Sequence, residues 1–254
     1  MKLIDRLLGD VMDRKLFPKI RFKSGLTLTS QIYDFLRHQI VAKRIAPGTS
    51  LSENDLAAHF NVSRQPVHEA LNKLCVNGLI DIMPQKGTFV SKISVNNLFE
   101  ICFMRCAIEC QSIRKSTCLN KRSFNRICNK LSKCLDQQRK WLANNEPNEK
   151  FLDLDDTFHQ TICEFSQTAL AWNVLHSVKA NMDRIRYLTI GTISEPCELI
   201  TTHEQILECI LNHDIEKSCE LIENHSYEIT HTYSYIIEQN KEWFLDESEE
   251  KARI

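Results

Sequence analysis

The chain has 254 residues, of which 43% are hydrophobic and 26% charged, with only six Gly and six Pro. That length suits two domains, and the composition excludes a disordered, collagen-like or all-β protein. Net charge is −1, but residues 1–92 hold 14 Lys and Arg against 8 Asp and Glu, whereas residues 93–254 hold 18 against 25. A basic front half on an acidic back half directs any polyanion to the front. The eleven cysteines are odd in number and lack the spacing of a small secreted scaffold. No apolar run approaches the ~18–20 residues of a membrane span, and Asp5, Asp10 and Asp13 interrupt the start where a signal peptide would be apolar. The expectation is a cytoplasmic protein with free thiols and no membrane contact.

Residues 1–27 read as an extension containing an amphipathic helix, with Leu3, Ile4, Leu7, Leu8, Val11 and Met12 on one face, followed by the basic connector Lys19, Arg21 and Lys23. Residues 28–93 read as a winged helix-turn-helix. A helix near 29–43 buries Ile32, Phe35, Leu36, Ile40 and Val41, and Pro47-Gly48 turns the chain. Ser52 caps a second helix that has Asp55 in its first turn and ends near Phe60. Asn61-Val62-Ser63 leads into a third helix, capped by Ser63, with Pro66 tolerated in its first turn. Two short strands, Leu79–Met83 and Thr88–Lys92, then flank Pro84-Gln85-Lys86-Gly87. Residues 94–245 read as an all-helical domain, with helices near 95–119, 121–144, 148–166, 168–190, 195–212 and 214–240. Residues 246–254 are a charged tail. The predicted fold is therefore mainly α: a winged helix-turn-helix in front of an all-helical bundle.

In the third helix Val67, Ala70, Leu71, Leu74 and Cys75 face the core, leaving Arg64, Gln65, His68 and Asn72 on the opposite side. Such a face fits the DNA major groove, where Arg pairs bidentately with guanine and Gln or Asn with adenine. Lys86 and Gly87 at the hairpin tip allow close approach to phosphate or the minor groove. Lys43, Arg44 and the helix starts at Ser52 and Ser63 offer phosphate contacts.

Ile45-Ala46-Pro47-Gly48, Leu51-Ser52-Glu53-Asn54-Asp55-Leu56-Ala57, Val62-Ser63-Arg64-Gln65-Pro66-Val67-His68-Glu69-Ala70-Leu71 and Lys86-Gly87-Thr88-Phe89-Val90 together resemble the N-terminal domain of GntR-superfamily regulators across about residues 30–92. The resemblance implies a homodimer that binds a pseudo-palindromic operator on double-stranded DNA, as a repressor. His68 stands where the family usually has Arg; lacking the bidentate fork, it implies a different half-site.

In the back half Asp155 and His159 stand at i and i+4 on one helix face, with Leu152, Phe158 and Ile162. His203 lies in a stripe with Ile206, Leu207 and Ile210, and His225 with Leu221, Ile222 and Ile229. Three imidazoles and a carboxylate pointing into one core suit a divalent metal, Zn first and Ni or Mn as alternatives. The region resembles the FCD domain of the FadR subfamily, whose Asp-x-x-x-His pair and two later histidines match Asp155, His159, His203 and His225. Gln167-Thr168-Ala169 departs from the Asn often found there.

Arg105 falls on the inward face of the first helix of this domain, and a buried Arg needs an anionic partner. A small organic acid held by metal and guanidinium together satisfies that need, and the resemblance assigns Arg105 to an effector pocket. A pair between Arg105 and Asp156 or another acid would instead leave a purely structural metal site. Cys102, Cys106 and Cys110, at i, i+4 and i+8, could bind a soft metal or sense oxidants but are read as core packing. No phosphate loop, Gly-x-Ser-x-Gly or His-Glu-x-x-His motif occurs, and no catalytic residue is assigned. The competing reading is a metal-dependent enzyme or metal-binding protein whose front module does not bind DNA.

Overall fold

The computed structural model describes residues 18, 20–144, 146–190 and 195–246. The expected amphipathic helix in residues 1–17, Lys19 and the tail beyond residue 246 lie outside them. The described residues divide into two compact units, one of residues up to Val95 together with those from Asn240 onward, the other Asn96–Gln239.

In the first unit α1 (Leu28–Val41) begins where the Thr27 side chain accepts the Ser30 N–H, and it buries Ile32, Leu36, Ile40 and Val41. Phe35, at the edge of that stripe, meets Phe60 edge-on at 5.6 Å between ring centroids. Helix α2 (Glu53–Phe60) starts at Ser52, whose hydroxyl accepts from the Asp55 N–H, and ends at Asn61 in the left-handed conformation. Asn is among the few non-glycine residues that adopt it readily. Helix α3 (Arg64–Val76) turns Val67, Ala70, Leu71 and Leu74 inward and packs on α1 and α2. Ser63 occupies its N-cap position, but its side chain makes no capping hydrogen bond.

The wing has three strands rather than two. β2 (Ile80–Met83) and β3 (Gly87–Val90) form the expected antiparallel hairpin, with Ile80 opposite Val90 and Met83 opposite Gly87. The additional β1 (Ser50–Leu51) pairs antiparallel with the other side of β3, giving the order β1-β3-β2. Two residues carry too little periodicity to announce a strand. Gln85 and Gly87 take positive φ in the hairpin, Gly87 at +115°, a conformation that L side chains rarely adopt. Residues 243–245 return to this unit: Ile93 N–H donates to Trp243 O at 2.8 Å and Leu245 N–H to Ile93 O at 3.0 Å.

The second unit is helical throughout: α4 (Val95–Lys115), α5 (Lys121–Asn144), α6 (Asn148–Cys163), α7 (Leu170–Val178), α8 (Ala180–Thr189), α9 (Pro196–Leu211) and α10 (Ile215–Gln239). The segment read as one helix over 168–190 is two, parted at Lys179. No Gly or Pro marks that break. The Lys179 side chain is instead drawn inward to Asp156 and Asp183, at 2.6 Å from each. Helices α5, α6, α9 and α10 pack around Phe158, Ile162, Phe165, Ile127, Leu131 and Ile206. Each such fully buried apolar side chain stabilises the fold by about 1.5–3 kcal/mol.

Candidate metal centre and nucleic-acid interface

Helix α6 presents Asp155 and His159 from successive turns, α9 presents His203, and α10 presents His225. All four are buried, and one ligand atom from each lies within 4.8 Å of the others. His225 Nε2 is 3.2 Å from His159 Nε2 and 3.3 Å from His203 Nε2, while Asp155 Oδ1 is 3.5 Å from His203 Nε2. The four residues expected to converge do so.

What surrounds them fixes the chemistry of the donor atoms. His159 Nδ1 lies 2.7 Å from Glu109 Oε2. An ionised carboxylate only accepts, so Nδ1 carries the proton and Nε2 turns its lone pair toward the cluster. Likewise His203 Nδ1 donates to Gln138 Oε1 at 3.0 Å, freeing its Nε2. His225 Nδ1 is buried without a hydrogen bond, 4.0 Å from Glu228 Oε2. Burial pushes the His203 imidazole down to about 3 and His225 well below its ordinary value, keeping both in the neutral, ligating form. Burial works against the charge of Asp155, yet Arg186 and the neighbouring histidines hold its carboxyl well below the usual range. Two aimed imidazole lone pairs, a third imidazole and an ionised carboxylate fit a borderline divalent cation.

Arg105 is buried as expected, 8% exposed. Its Nε donates to Glu109 Oε1 at 2.9 Å, whereas Asp156 is taken by Lys179 and Arg186. Glu109 thus joins Arg105 to His159. The Arg105 Nη2 remains buried without a hydrogen-bond partner. It lines a cavity of about 40 Å³ together with Asp155, Arg186, Thr189, His225 and Glu228, room for a few water-sized groups at about 10–15 Å³ each.

Here the structure brings three cations, Arg105, Lys179 and Arg186, against five acids, Glu109, Asp155, Asp156, Asp183 and Glu228. Glu109 was legible as the residue one turn beyond Arg105 on the same face. Gln138 and Arg186, from α5 and α8, carried no such signal.

In the first unit Arg64, Gln65, His68 and Asn72 are all exposed. The Arg64 side chain is 68% exposed with Nη2 3.3 Å from Glu53 Oε2, and His68 Nδ1 is 2.7 Å from Glu53 Oε1. Gln65 Nε2 donates to Glu69 Oε1 at 3.0 Å. Lys43, Arg44, Ser63, Lys86 and Gly87 are exposed as well, and Ser52 is half-buried under its capping bond. Glu53 was not singled out from sequence. It gathers the Arg64 and His68 side chains of the α3 face from the start of α2.

The family model described as "Bacterial regulatory proteins, gntR family" matches residues 28–90, and that of the FCD domain matches residues 100–227. The chain belongs to the GntR family. It is a DNA-binding transcription regulator of the branch that carries an FCD domain, and not an enzyme. This GntR regulator is 38% identical over 220 residues to the HTH-type transcriptional repressor RspR of Escherichia coli strain K12, covering 87% of this chain and 95% of that protein. It is 30% identical over 192 residues to an HTH-type transcriptional regulator in an unstable DNA locus of Streptomyces ambofaciens, covering 76% and 79%. The solved structure of E. coli McbR/YncC shares its fold, with a TM-score of 0.63 at 21% identity over 85% of this chain and 99% of that one. Among the described residues no helix is long and apolar enough to cross a membrane.

Proposed function

We propose that this GntR regulator is a homodimeric repressor whose operator affinity is set by a small organic acid bound beside a divalent metal in the helical domain. The observation that carries the reading is the unpartnered Arg105 Nη2 on the same cavity wall as Asp155 and His225. A buried guanidinium nitrogen without an acceptor costs free energy that an incoming carboxylate recovers. Asp155, His159, His203 and His225 would hold the ion, Zn first with Ni or Mn as alternatives. A bound dication supplies a second, Lewis-acidic contact for the acid's oxygen. Arg105 orients the other oxygen, and Glu109 holds Arg105 and His159 at a fixed separation.

On the DNA side, Arg64, Gln65 and His68 are assigned to base edges in the major groove, with Asn72 continuing that face. Lys43, Arg44, Ser52, Ser63, Lys86 and Gly87 are assigned to phosphate or the adjacent groove. Repression is inferred from the relative RspR, a repressor by name. The effector acts by favouring one arrangement of the helices that carry the ligands.

Elemental analysis together with gel-shift titration tests the proposal. The purified chain should carry one divalent ion per protomer, and His203→Ala with His225→Ala should lose it. Operator affinity should fall steeply with salt, as counterion release requires, and should respond to short-chain carboxylic acids only while Arg105 is intact. Full metal occupancy in the double variant, or an unchanged carboxylate response in Arg105→Ala, would overturn it.

A further inference from the structure

Of the cysteine stripe on α4, one member meets a second thiol. Cys110 Sγ lies 3.6 Å from the main-chain oxygen of Cys219 on α10, and Cys219 Sγ lies 3.7 Å from that of Cys110. The reciprocal contacts set the two residues directly opposite each other where α4 meets α10, and both are free thiols. Cys102, two turns earlier, is engaged differently, its Sγ donating to Ser226 O at 3.2 Å.

The surroundings distinguish this pair from inert core cysteines. Arg114, one turn beyond Cys110 on α4, is 46% exposed and pairs at 3.5 Å with Glu216 at the start of α10. The two thiols are buried in the helical core, 9% and 5% exposed, within one turn of this solvent-facing ion pair. The facing Cys110 thiol, followed by the Arg114 cation, holds the Cys219 thiol below its ordinary value against the effect of burial. The same facing contact, with burial, pushes Cys110 up. Of the two, Cys219 gives up its proton more readily. Cys128 shows the contrast: burial alone pushes it up to about 11.

We infer that Cys110 and Cys219 form a redox modification site, at which a peroxide converts the facing thiols into a disulfide that ties α4 to α10. The Cys219 thiolate attacks one peroxide oxygen; the O–O bond breaks, and the departing hydroxide takes the Cys110 proton and leaves as water. Cys110 sulfur then attacks the Cys219 sulfenic sulfur; the S–O bond breaks, and its hydroxide leaves as a second water with a proton from solvent. The thiols give up two electrons and two protons in total, and the peroxide is reduced to two waters. The bond would close between helices that also carry Glu109, adjacent to Cys110, and His225, further along α10. This inference does not rest on a metal or a carboxylate being bound.

The test is peptide mapping of the full-length folded chain. The protein is treated with near-stoichiometric hydrogen peroxide, quenched with N-ethylmaleimide, and digested with trypsin without reduction. The expected product is a linked pair of peptides spanning residues 106–114 and 218–241, two hydrogens lighter than their sum and separated by dithiothreitol. Cys110→Ser and Cys219→Ser should each abolish the link, Cys106→Ser and Cys102→Ser should keep it, and Arg114→Ala should slow its formation several-fold. Circular dichroism before quenching establishes that linkage occurs in the folded chain. Absence of the linked pair in the unsubstituted protein overturns the inference. So does a link that survives Cys110→Ser, or oxidation that runs to sulfinic acid on Cys219 without linkage.

Discussion

Glu109 Oε2 lies 2.7 Å from His159 Nδ1, and Glu109 itself has no exposed surface. A carboxylate in that position is costly unless paired, and Arg105 on its other oxygen completes the pairing. Because the acid fixes which ring nitrogen of His159 is protonated, Glu109→Gln should weaken metal affinity by roughly 10–100-fold. Competition against a chromogenic chelator measures this, and unchanged affinity would remove Glu109 from the site. Glu109→Leu should do more, leaving Arg105 buried without an anion at a cost of about 3–5 kcal/mol in stability, read from urea midpoints.

Glu53 and Arg64 make the corresponding pair in the first unit, at 3.3 Å, with Glu53 half-buried and Arg64 exposed to solvent. An exposed pair contributes little to stability, so Arg64 can exchange Glu53 for a base edge. Arg64→Ala should lower operator discrimination by about 1–3 kcal/mol at one base pair and leave metal content and thermal midpoint unchanged. Arg64→Lys should not restore it, since an ammonium lacks the two-pronged geometry. Gel shifts on an operator with single base changes provide the measurement.

Acid should destabilise the metal-free helical domain in a defined window. His203 titrates near 3 in the folded chain, pushed down by burial, against 6.5 without the fold. Below pH 6.5 the unfolded chain takes up a proton that the folded chain refuses until about pH 3. The contribution is complete above 6.5 and is lost progressively as pH falls toward 3. His225 shifts in the same direction, also by burial. Urea unfolding of chelator-treated protein at pH 7 and pH 5 should give the lower midpoint at pH 5. A higher midpoint at pH 5 would contradict the burial of neutral histidines.

Phe158 couples the core to the ligands. It is fully buried and stacks on the His203 ring at 4.2 Å between centroids. Phe158→Ala should cost about 3–5 kcal/mol of stability and also loosen His203. Reduced metal affinity in protein that remains folded by circular dichroism would separate the second effect from the first.

The amino-acid order alone settled the parts of this regulator that depend on neighbours along the chain. The Ser52 cap, the polar face of α3 and the Asp155–His159 spacing all follow from helical repeat and local hydrogen bonding. It did not disclose β1, whose two residues show no period, or the break at Lys179, where a buried ammonium reaches acids on α6 and α8. Nor did it disclose Gln138 and Arg186, which come from two other helices and meet the quartet only when those helices pack. A histidine on an apolar stripe is the same letter whether it stacks in a core or aims a lone pair at its neighbours. The hydrogen bond on its far nitrogen decides between them, and that bond is long-range in sequence.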